Sequence, residues 1–259
     1  SPNRIRDQER LQRNLVFRRR NVETMETTKA ADMTFRQRIE HSRLLAWLLA
    51  GLAGAYLSLC QRTTRWDYHG LEQLKADLAD GPVLLLMWHG RSLMGPVHWP
   101  VEAGPLSSLY DASPIGRVSG ALQRRRGLQP MEMSDKISNL AASRVILKRL
   151  REGVSIGMTG DGPLGPAQAI KDAPLDWARV MRRPVYGYAF ATKRHRILPS
   201  WDAMMLPLPF TRGAVVFARY EGKIIGKVDE AARDGLKKML DEVTRNVDEL
   251  ANSGSAKSN

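Results

Sequence analysis

The feature that most constrains the fold is a short, continuous apolar run at residues 83–87, which reads VLLLM and ends in Trp88-His89-Gly90. A run of this length without a polar residue is typical of a central strand that is buried on both faces of a parallel sheet. Other apolar runs alternate with helical patterns along the chain. This alternation predicts an α/β fold: a single domain with a mixed, mostly parallel sheet flanked by helices.

The same patterns place the individual elements from residue 67 onward. Apolar runs bounded by turn residues predict strands at 83–87, 106–110, 154–158, 185–192 and 214–220. Helical spacing of apolar residues predicts helices at 71–78, 114–126, 137–151, 174–182 and 230–250. We therefore expect an α/β domain over residues 66–251.

Residues 44–60 form a second apolar stretch, LLAWLLAGLAGAYLSLC, without a charge. As a helix it would reach about 25 Å at ~1.5 Å per residue, whereas a full membrane span usually takes ~20 residues. Arginines flank it on both sides, which suits a helix lying on an anionic surface better than one crossing a bilayer. We predict a membrane-associated helix at residues 41–65. A short span, a buried hairpin and a core helix of the domain remain alternatives.

The chain is strongly basic, with 40 Lys and Arg against 27 Asp and Glu and a formal net charge of +13. Such an excess favours an anionic partner, either nucleic acid or anionic lipid headgroups. Residues 1–40 are polar and arginine-rich, and we interpret them as a flexible arm; residues 252–259 are interpreted as a disordered tail. The single cysteine, Cys60, excludes an internal disulfide framework and a cysteine-rich zinc site.

His89 is the sharpest candidate for chemistry. It directly follows the strand at 83–87, so we expect it at the carboxyl end of that strand, where ligands usually bind in α/β sheets. A histidine in such a place can act as a general base near neutral pH. Gly90 lets the backbone turn, and Arg91 adds positive charge. The alternative is a structural histidine that caps the strand.

The loop at residues 160–166, GDGPLGP, follows the predicted strand at 154–158. Its three glycines and two prolines favour a loop of fixed shape that can approach a ligand closely. Asp161 is its single carboxylate and is expected at the same sheet edge as His89. The spacing matches neither a P-loop nor a dinucleotide-binding fingerprint, and an ordinary tight turn is the alternative.

Several motifs occur in a fixed order: WHGR at 88–91, DGPLGP at 161–166 with Lys171 after it, PVYGYAF at 184–190, SWD at 200–202 and P-x-PF at 207–210. This order resembles a bacterial branch of the lysophospholipid acyltransferase superfamily. That branch was long catalogued as a domain of unknown function and includes proteins linked to lipid A secondary acylation. The resemblance covers about residues 35–250.

The resemblance implies transfer of a fatty acyl group from a thioester, carried by acyl-carrier protein or coenzyme A, to a hydroxyl of a lipid acceptor. A lysophospholipid or a lipid A precursor is the implied acceptor, with His89 as general base. In the superfamily an aspartate stands five positions after the histidine, but here that position is Met94. Asp111, which follows the next predicted strand, is the substitute that we consider as the catalytic carboxylate.

The resemblance also suggests where the substrate binds. The superfamily's Glu-Gly loop, which binds the phosphate region of the acceptor, corresponds to Asp161 and Gly162. Its arginine falls at Leu164, which cannot bind phosphate. The positive charge is then expected from Arg91, Arg117 or Lys171, which are candidate substrate-binding residues together with Asp161 and Gly162.

These implications set the remaining expectations. We expect no metal and no bound cofactor, with the acyl thioester as co-substrate. The expected partners are an anionic membrane surface and the lipid acceptor, at the cytoplasmic face of a bacterial inner membrane, while acyl-carrier protein stays open as a partner. A non-catalytic lipid-binding relative is the first alternative, since Met94 and Leu164 depart from the family pattern. A nucleic-acid-binding protein is the second, although no nucleic-acid-binding module is found.

Overall fold

The computed structural model describes residues 43–111, 113–133, 139–222, 224 and 230–253. The chain divides into two compact units, Ser1–Leu45 and Ala46–Asn259, and the second contains both sheets. The predicted arm at residues 1–40 and the predicted tail beyond Ser253 lie outside the described residues.

Nine strands form two sheets in the described part of the chain. They are β1 (Arg65–His69), β2 (Leu84–Met87), β3 (Leu106–Asp111), β4 (Met131–Met133), β5 (Ser155–Thr159), β6 (Val185–Thr192), β7 (His195–Ile197), β8 (Met205–Pro207) and β9 (Arg212–Arg219). Seven of them make one sheet in the order β1-β9-β6-β2-β5-β3-β4, while β7 and β8 form a separate antiparallel pair. In the large sheet β6 and β9 are antiparallel and the other neighbours are parallel. The predicted mixed, mostly parallel sheet is thereby confirmed.

Helices flank this sheet, as predicted. They are α1 (Arg43–Thr63), α2 (Leu71–Asp80), α3 (Gly95–His98), α4 (Pro114–Arg125), α5 (Asn139–Arg151), α6 (Asp172–Met181) and α7 (Glu230–Ser253), with one 3₁₀ turn at His89–Arg91. The long helix α7 contacts β6 and β9 and buries an apolar stripe that includes Leu236, Leu240 and Val243. The predicted start of α5 at Ile137 lies outside the described residues.

The core lies around the two central strands. Every residue of β2 and of β6 is buried, because β2 lies between β5 and β6 and both faces of the sheet are covered. The interpretation of residues 83–87 as a strand buried on both faces is confirmed. Four strands were not predicted, namely β1, β4, β7 and β8; their sequences, RWDYH, MEM, HRI and MLP, are short and carry no continuous apolar run.

His98 lies in the core, where it is only 4% exposed. Its Nδ1 lies 2.8 Å from the hydroxyl of Tyr188 and its Nε2 lies 3.1 Å from Oε1 of Gln61. Gln61 in turn donates to the hydroxyl of Tyr68. Burial lowers the pKa of His98 to about 3, so the imidazole is neutral at physiological pH and links α1, α3, β1 and β6.

The predicted apolar helix is α1. One of its apolar faces is buried and another is exposed. Ala50, Leu57 and Cys60 are buried, whereas Leu48, Leu52 and Leu59 face outward and are 49%, 70% and 43% exposed. Because positions 48, 52 and 59 lie at helical spacing, they form one stripe along the helix. None of the helices that the structure describes has both the length and the apolar character needed to cross a bilayer.

The arginine run at 124–126 holds α1 against the domain. Arg126 donates to the carbonyl of Gly54 at 2.9 Å and to the hydroxyl of Ser58 at 2.5 Å. Arg125 lies over the ring of Trp47, with its guanidinium carbon 4.0 Å from the ring centroid. Arg125 and Arg126 thereby join α4 to α1.

Candidate functional site

His89 begins the 3₁₀ turn that follows β2, so it lies at the carboxyl end of a central strand, as predicted. Trp88 before it is buried and donates from Nε1 to Asp241 on α7 at 3.1 Å. The carbonyl of His89 accepts from the hydroxyl of Ser92 at 2.8 Å. Packing on one side and hydrogen bonds on the other therefore hold the backbone of His89 in place.

The carboxylate partner of His89 is Asp202. Oδ2 of Asp202 lies 2.6 Å from Nδ1 of His89, and the Asp202 side chain is only 3% exposed. The other oxygen, Oδ1, accepts from the hydroxyl of Ser200 at 2.5 Å. Both residues belong to the connection between β7 and β8, so the small antiparallel pair presents Asp202 to the end of β2.

Gly90 allows this approach. A Cβ atom at position 90 would lie 2.2 Å from the carbonyl oxygen of Asp202, a distance that no side chain could accept. The glycine of the WHGR motif is therefore needed because the backbone that carries Asp202 passes directly against it.

The state of Asp202 fixes the tautomer of His89. Burial raises the pKa of Asp202, but hydrogen bonds from Ser200 and His89 outweigh burial and bring it below its ordinary value. An ionised carboxylate can only accept hydrogen bonds, so Nδ1 of His89 carries the proton. The lone pair of the imidazole then lies on Nε2, which is the arrangement of a general base held by a carboxylate.

Nε2 of His89 remains available to a substrate. Its side chain is 29% exposed, and none of the described residues forms a hydrogen bond with Nε2. In particular, none of the described serines, threonines or cysteines forms a hydrogen bond with this nitrogen. The indole ring of Trp201, which is 44% exposed, lies 5.1 Å from the imidazole and forms one wall of the site.

The predicted loop at 160–166 meets this site, but Asp161 has a different environment from the one expected. Asp161 is 1% exposed, and its two oxygens accept from the backbone N–H groups of His89 at 3.0 Å and Gln168 at 3.1 Å. Burial raises its pKa, and these backbone donors oppose the rise. Asp161 therefore supports the backbone of His89, and its predicted contact with substrate is not favoured.

The loop at 160–166 also packs against Trp201. A Cβ at Gly165 would lie 2.6 Å from the indole of Trp201, so the ring rests directly on this glycine. Leu164, at the position of the family's phosphate-binding arginine, is 91% exposed. Three segments that are distant in sequence thus meet at one edge of the sheet: WHGR, DGPLGP and SWD.

Arg91, predicted to bind substrate, is already paired. Its guanidinium donates two hydrogen bonds of 2.7 Å to the carboxylate of Asp248 on α7 and a third, at 3.1 Å, to the carbonyl of Phe190. A cavity of about 480 Å³ beside Asp248 is lined also by Asp241 and Glu249. Arg91 therefore anchors the 3₁₀ turn to α7, and its charge is balanced by acidic neighbours.

The other predicted residues lie elsewhere relative to the His89–Asp202 pair, which we call the dyad. Lys171 lies beside the loop, since a Cβ at Gly162 would be 3.6 Å from its Cγ, and no described residue forms an ion pair with its ammonium. Arg117 lies in the first turn of α4, which follows β3, two strands away from β2. Asp111 is the last residue of β3, but its side chain lies outside the described residues. Asp202 occupies the place beside His89 that the sequence analysis assigned to Asp111.

Asp202 was missed because it lies 113 positions from His89, and strands β7 and β8 have no recognisable pattern. One signal was present. The SWD triplet at 200–202 contributes to the family resemblance, and all three of its residues serve the site: Ser200 and Trp201 flank the carboxylate that contacts His89.

Comparison with known proteins adds one distant relative. No family model matches the chain. An uncharacterized protein of Rickettsia prowazekii (strain Madrid E) is 25% identical over 167 residues, which make up 64% of this chain and 73% of that protein. Since that relative is itself uncharacterized, the function must be argued from the motifs and from the geometry around His89.

Proposed function

We propose that the protein is an acyltransferase that moves a fatty acyl group from a thioester to a hydroxyl of a lipid. The observation that carries the proposal is the His89–Asp202 pair, with a 2.6 Å contact at Nδ1 and an unengaged Nε2 at the carboxyl edge of the sheet. The resemblance of the WHGR, DGPLGP and SWD segments to the lysophospholipid acyltransferase superfamily names the reaction class.

The reaction proceeds by direct transfer. Nε2 of His89 takes the proton of the acceptor hydroxyl while the oxygen attacks the thioester carbonyl. The new C–O bond forms, the C–S bond breaks, and the proton passes from the imidazolium to the leaving thiolate. Asp202 stabilises the imidazolium that exists between these steps, and a well-placed general base of this kind accelerates a reaction ~10²–10⁴-fold.

The surroundings of the dyad support direct transfer over a covalent enzyme intermediate. A covalent route commonly uses a serine, threonine or cysteine hydrogen-bonded to the base, and none of the described residues makes that hydrogen bond to Nε2. Cys60 is fully buried and its sulfur contacts the carbonyl of Pro207 at 3.6 Å. The attacking oxygen is therefore expected to come from the acceptor.

The exposed stripe on α1 supports a membrane setting for the acceptor. Leu48, Leu52 and Leu59 point outward together, and the exposed Phe210 is placed beside the end of α1 by a hydrogen bond from its N–H to Thr63. An apolar helix face next to basic residues suits a helix that lies in the headgroup region of an anionic membrane. The cytoplasmic face of a bacterial inner membrane remains the proposed location.

A reconstituted assay tests the proposal. The full-length protein in detergent is given acyl-carrier-protein and coenzyme A thioesters together with lysophospholipids or lipid A precursors, and the products are weighed by mass spectrometry. We expect an acceptor heavier by one acyl chain, formed by the wild type and lost in His89→Gln. His69→Gln, at a partly exposed histidine on the edge strand β1, is the matched control and should retain the activity.

Other results of the same assay would overturn the proposal. Saturable lipid binding without turnover, equal in wild type and His89→Gln, would indicate the non-catalytic lipid-binding relative. Salt-sensitive binding to nucleic acid without lipid affinity would indicate a nucleic-acid-binding protein.

A further inference from the structure

A basic groove lies at the amino-terminal end of the central strands β2 and β6, and His89 lies at their carboxyl end. It is formed by the end of α6, the start of β6 and the end of β9, and its lining includes Arg179, Arg182, Arg183, Val185, Arg219 and Tyr220. Because β6 and β9 are antiparallel, the start of one and the end of the other meet at the same edge.

The groove is separate from the dyad. Leu84 at the start of β2 pairs with Val185 in the groove, while Met87 at the other end of β2 leads to His89. Four residues of strand span about 13 Å at ~3.3 Å per residue, and the sheet itself lies between the two places. No step of the proposed acyl transfer uses the groove.

The size of the groove suits a small molecule. Its volume is about 940 Å³, and cavities of ~300–1,000 Å³ are typical of small-molecule sites. Val180, Pro184 and Val185 supply an apolar wall, so a ligand with an uncharged portion could also bury that portion. A macromolecular partner would need a broader and flatter surface.

The charge of the groove suits an anion. Four arginines line it, and its described lining residues include no carboxylate. Arg219 pairs at 3.3 Å with Asp77, whose side chain is 11% exposed, and Arg179 pairs at 3.6 Å with the exposed Asp176. The exposed Arg179–Asp176 pair contributes little, so an anionic ligand can compete for Arg179.

The two remaining arginines strengthen this interpretation. Arg183 is held rigidly, since its Nε and Nη2 donate to the carbonyls of Pro82 at 2.9 Å and Asp80 at 3.0 Å. Arg182 sits at a left-handed backbone position, φ 48°, and its guanidinium forms no hydrogen bond or ion pair with any described residue. A fixed cation beside an unengaged one is a suitable arrangement for an anion with several oxygens.

We propose that this groove binds a small ligand that carries a phosphate group. The planar guanidinium donates paired hydrogen bonds that match phosphate oxygens, and several guanidinium groups can share one phosphate. The ligand is either a soluble phosphate compound or the headgroup of a phosphate-monoester lipid. Both share the chemistry that the four arginines recognise.

Calorimetry on the full-length protein tests the groove with two probes: inorganic pyrophosphate, and phosphatidylcholine vesicles containing phosphatidic acid. Vesicles with phosphatidylglycerol, a phosphodiester, correct for binding through α1. Arg179→Gln with Arg182→Gln removes two groove charges, while Arg144→Gln with Arg151→Gln removes two exposed charges from α5. Melting temperatures of both variants check folding, and Arg219→Gln serves as a second groove variant.

We expect saturable binding by the wild type that is at least about tenfold weaker in the groove variants, since each charge-assisted contact is worth about an order of magnitude. The α5 variant should bind as the wild type does. Pyrophosphate binding identifies a soluble ligand, and a preference for phosphatidic acid alone identifies a lipid headgroup. Equal weakening in both variants, or no saturable binding of either probe by the wild type, would overturn the proposal. Because the dyad is untouched, this result is independent of the acyl-transfer assay.

Discussion

At the scale of single residues, the candidate site depends on a contact between side chains 113 positions apart, His89 and Asp202. The sequence identified His89, because an apolar strand ending in histidine and glycine has an expected place in an α/β sheet. It did not identify Asp202, since the approach of a hairpin is a tertiary event without a local pattern. The glycine at position 90 is where the two meet.

Gly90→Ala is therefore expected to disable the site while the domain still folds. The added Cβ would lie 2.2 Å from the carbonyl oxygen of Asp202 and would push the carboxylate away from Nδ1. Misplacement of about 1 Å can cost ~10²-fold in rate, so we expect a loss of about that size in acyl transfer. Gly104→Ala is the control, because its Cβ would meet Leu78 at an ordinary 3.5 Å. Equal activity of the two variants would contradict the proposed contact.

His98 gives a pH dependence of stability whose sign is fixed by its lowered pKa. The unfolded imidazole takes up a proton near pH 6.5, while the folded one resists protonation down to about 3. Its contribution to the free energy of unfolding is therefore complete above pH 6.5 and is lost as the pH falls through that window. One proton corresponds to about 1.4 kcal/mol per pH unit.

Denaturation in urea between pH 6.5 and 4.5 measures this slope. The free energy of unfolding of His98→Gln should change with pH less steeply than that of the wild type, by about 1.4 kcal/mol per pH unit. The pKa of Asp202 is lowered from an ordinary value of 3.8, so its contribution falls mainly below this window. An unchanged slope in His98→Gln would show that His98 is protonated in the folded protein.

At the scale of elements, sequence patterns predicted the strands and helices that carry strong apolar periodicity. β2 and β6 were found because burial on both faces leaves uninterrupted apolar runs. β1, β4, β7 and β8 were missed, since strands at an edge or in a two-stranded pair have fewer apolar neighbours. The hairpin of β7 and β8 supplies Asp202. Because its short strands have no recognisable apolar pattern, neither the hairpin nor the site residue was predicted.

The attachment of α1 by α4 leads to a prediction at this scale. Arg126→Ala removes hydrogen bonds to the carbonyl of Gly54 and to Ser58. We expect a loss of ~1–3 kcal/mol in the free energy of unfolding, with faster hydrogen exchange along residues 50–60. Arg144→Ala, on an exposed face of α5, should change neither quantity. Unchanged exchange in Arg126→Ala would mean that apolar contacts alone hold α1.

At the scale of the whole molecule, the exposed stripe of α1 determines how the protein meets a lipid surface. Leu48→Gln with Leu52→Gln should weaken binding to phosphatidylcholine–phosphatidylglycerol vesicles at least about tenfold, since each buried leucine is worth ~1.5–3 kcal/mol. Val101→Gln with Val145→Gln removes two exposed valines that lie outside α1 and should leave vesicle binding unchanged. Equal effects of the two pairs, in a flotation assay, would contradict a membrane contact through α1.

The central claim is that His89 and Asp202 act as one unit on an acceptor hydroxyl, and a double-mutant cycle on acyl-transfer rates tests it most directly. His89→Ala and Asp202→Asn should each lower kcat by ~10²–10⁴-fold, and the double variant should be little slower than His89→Ala. Asp176→Asn, at an exposed carboxylate on α6, should turn over like the wild type. The claim would be contradicted if His89→Ala kept the kcat of the wild type. It would also be contradicted if the double variant lost the sum of the two single losses in activation free energy.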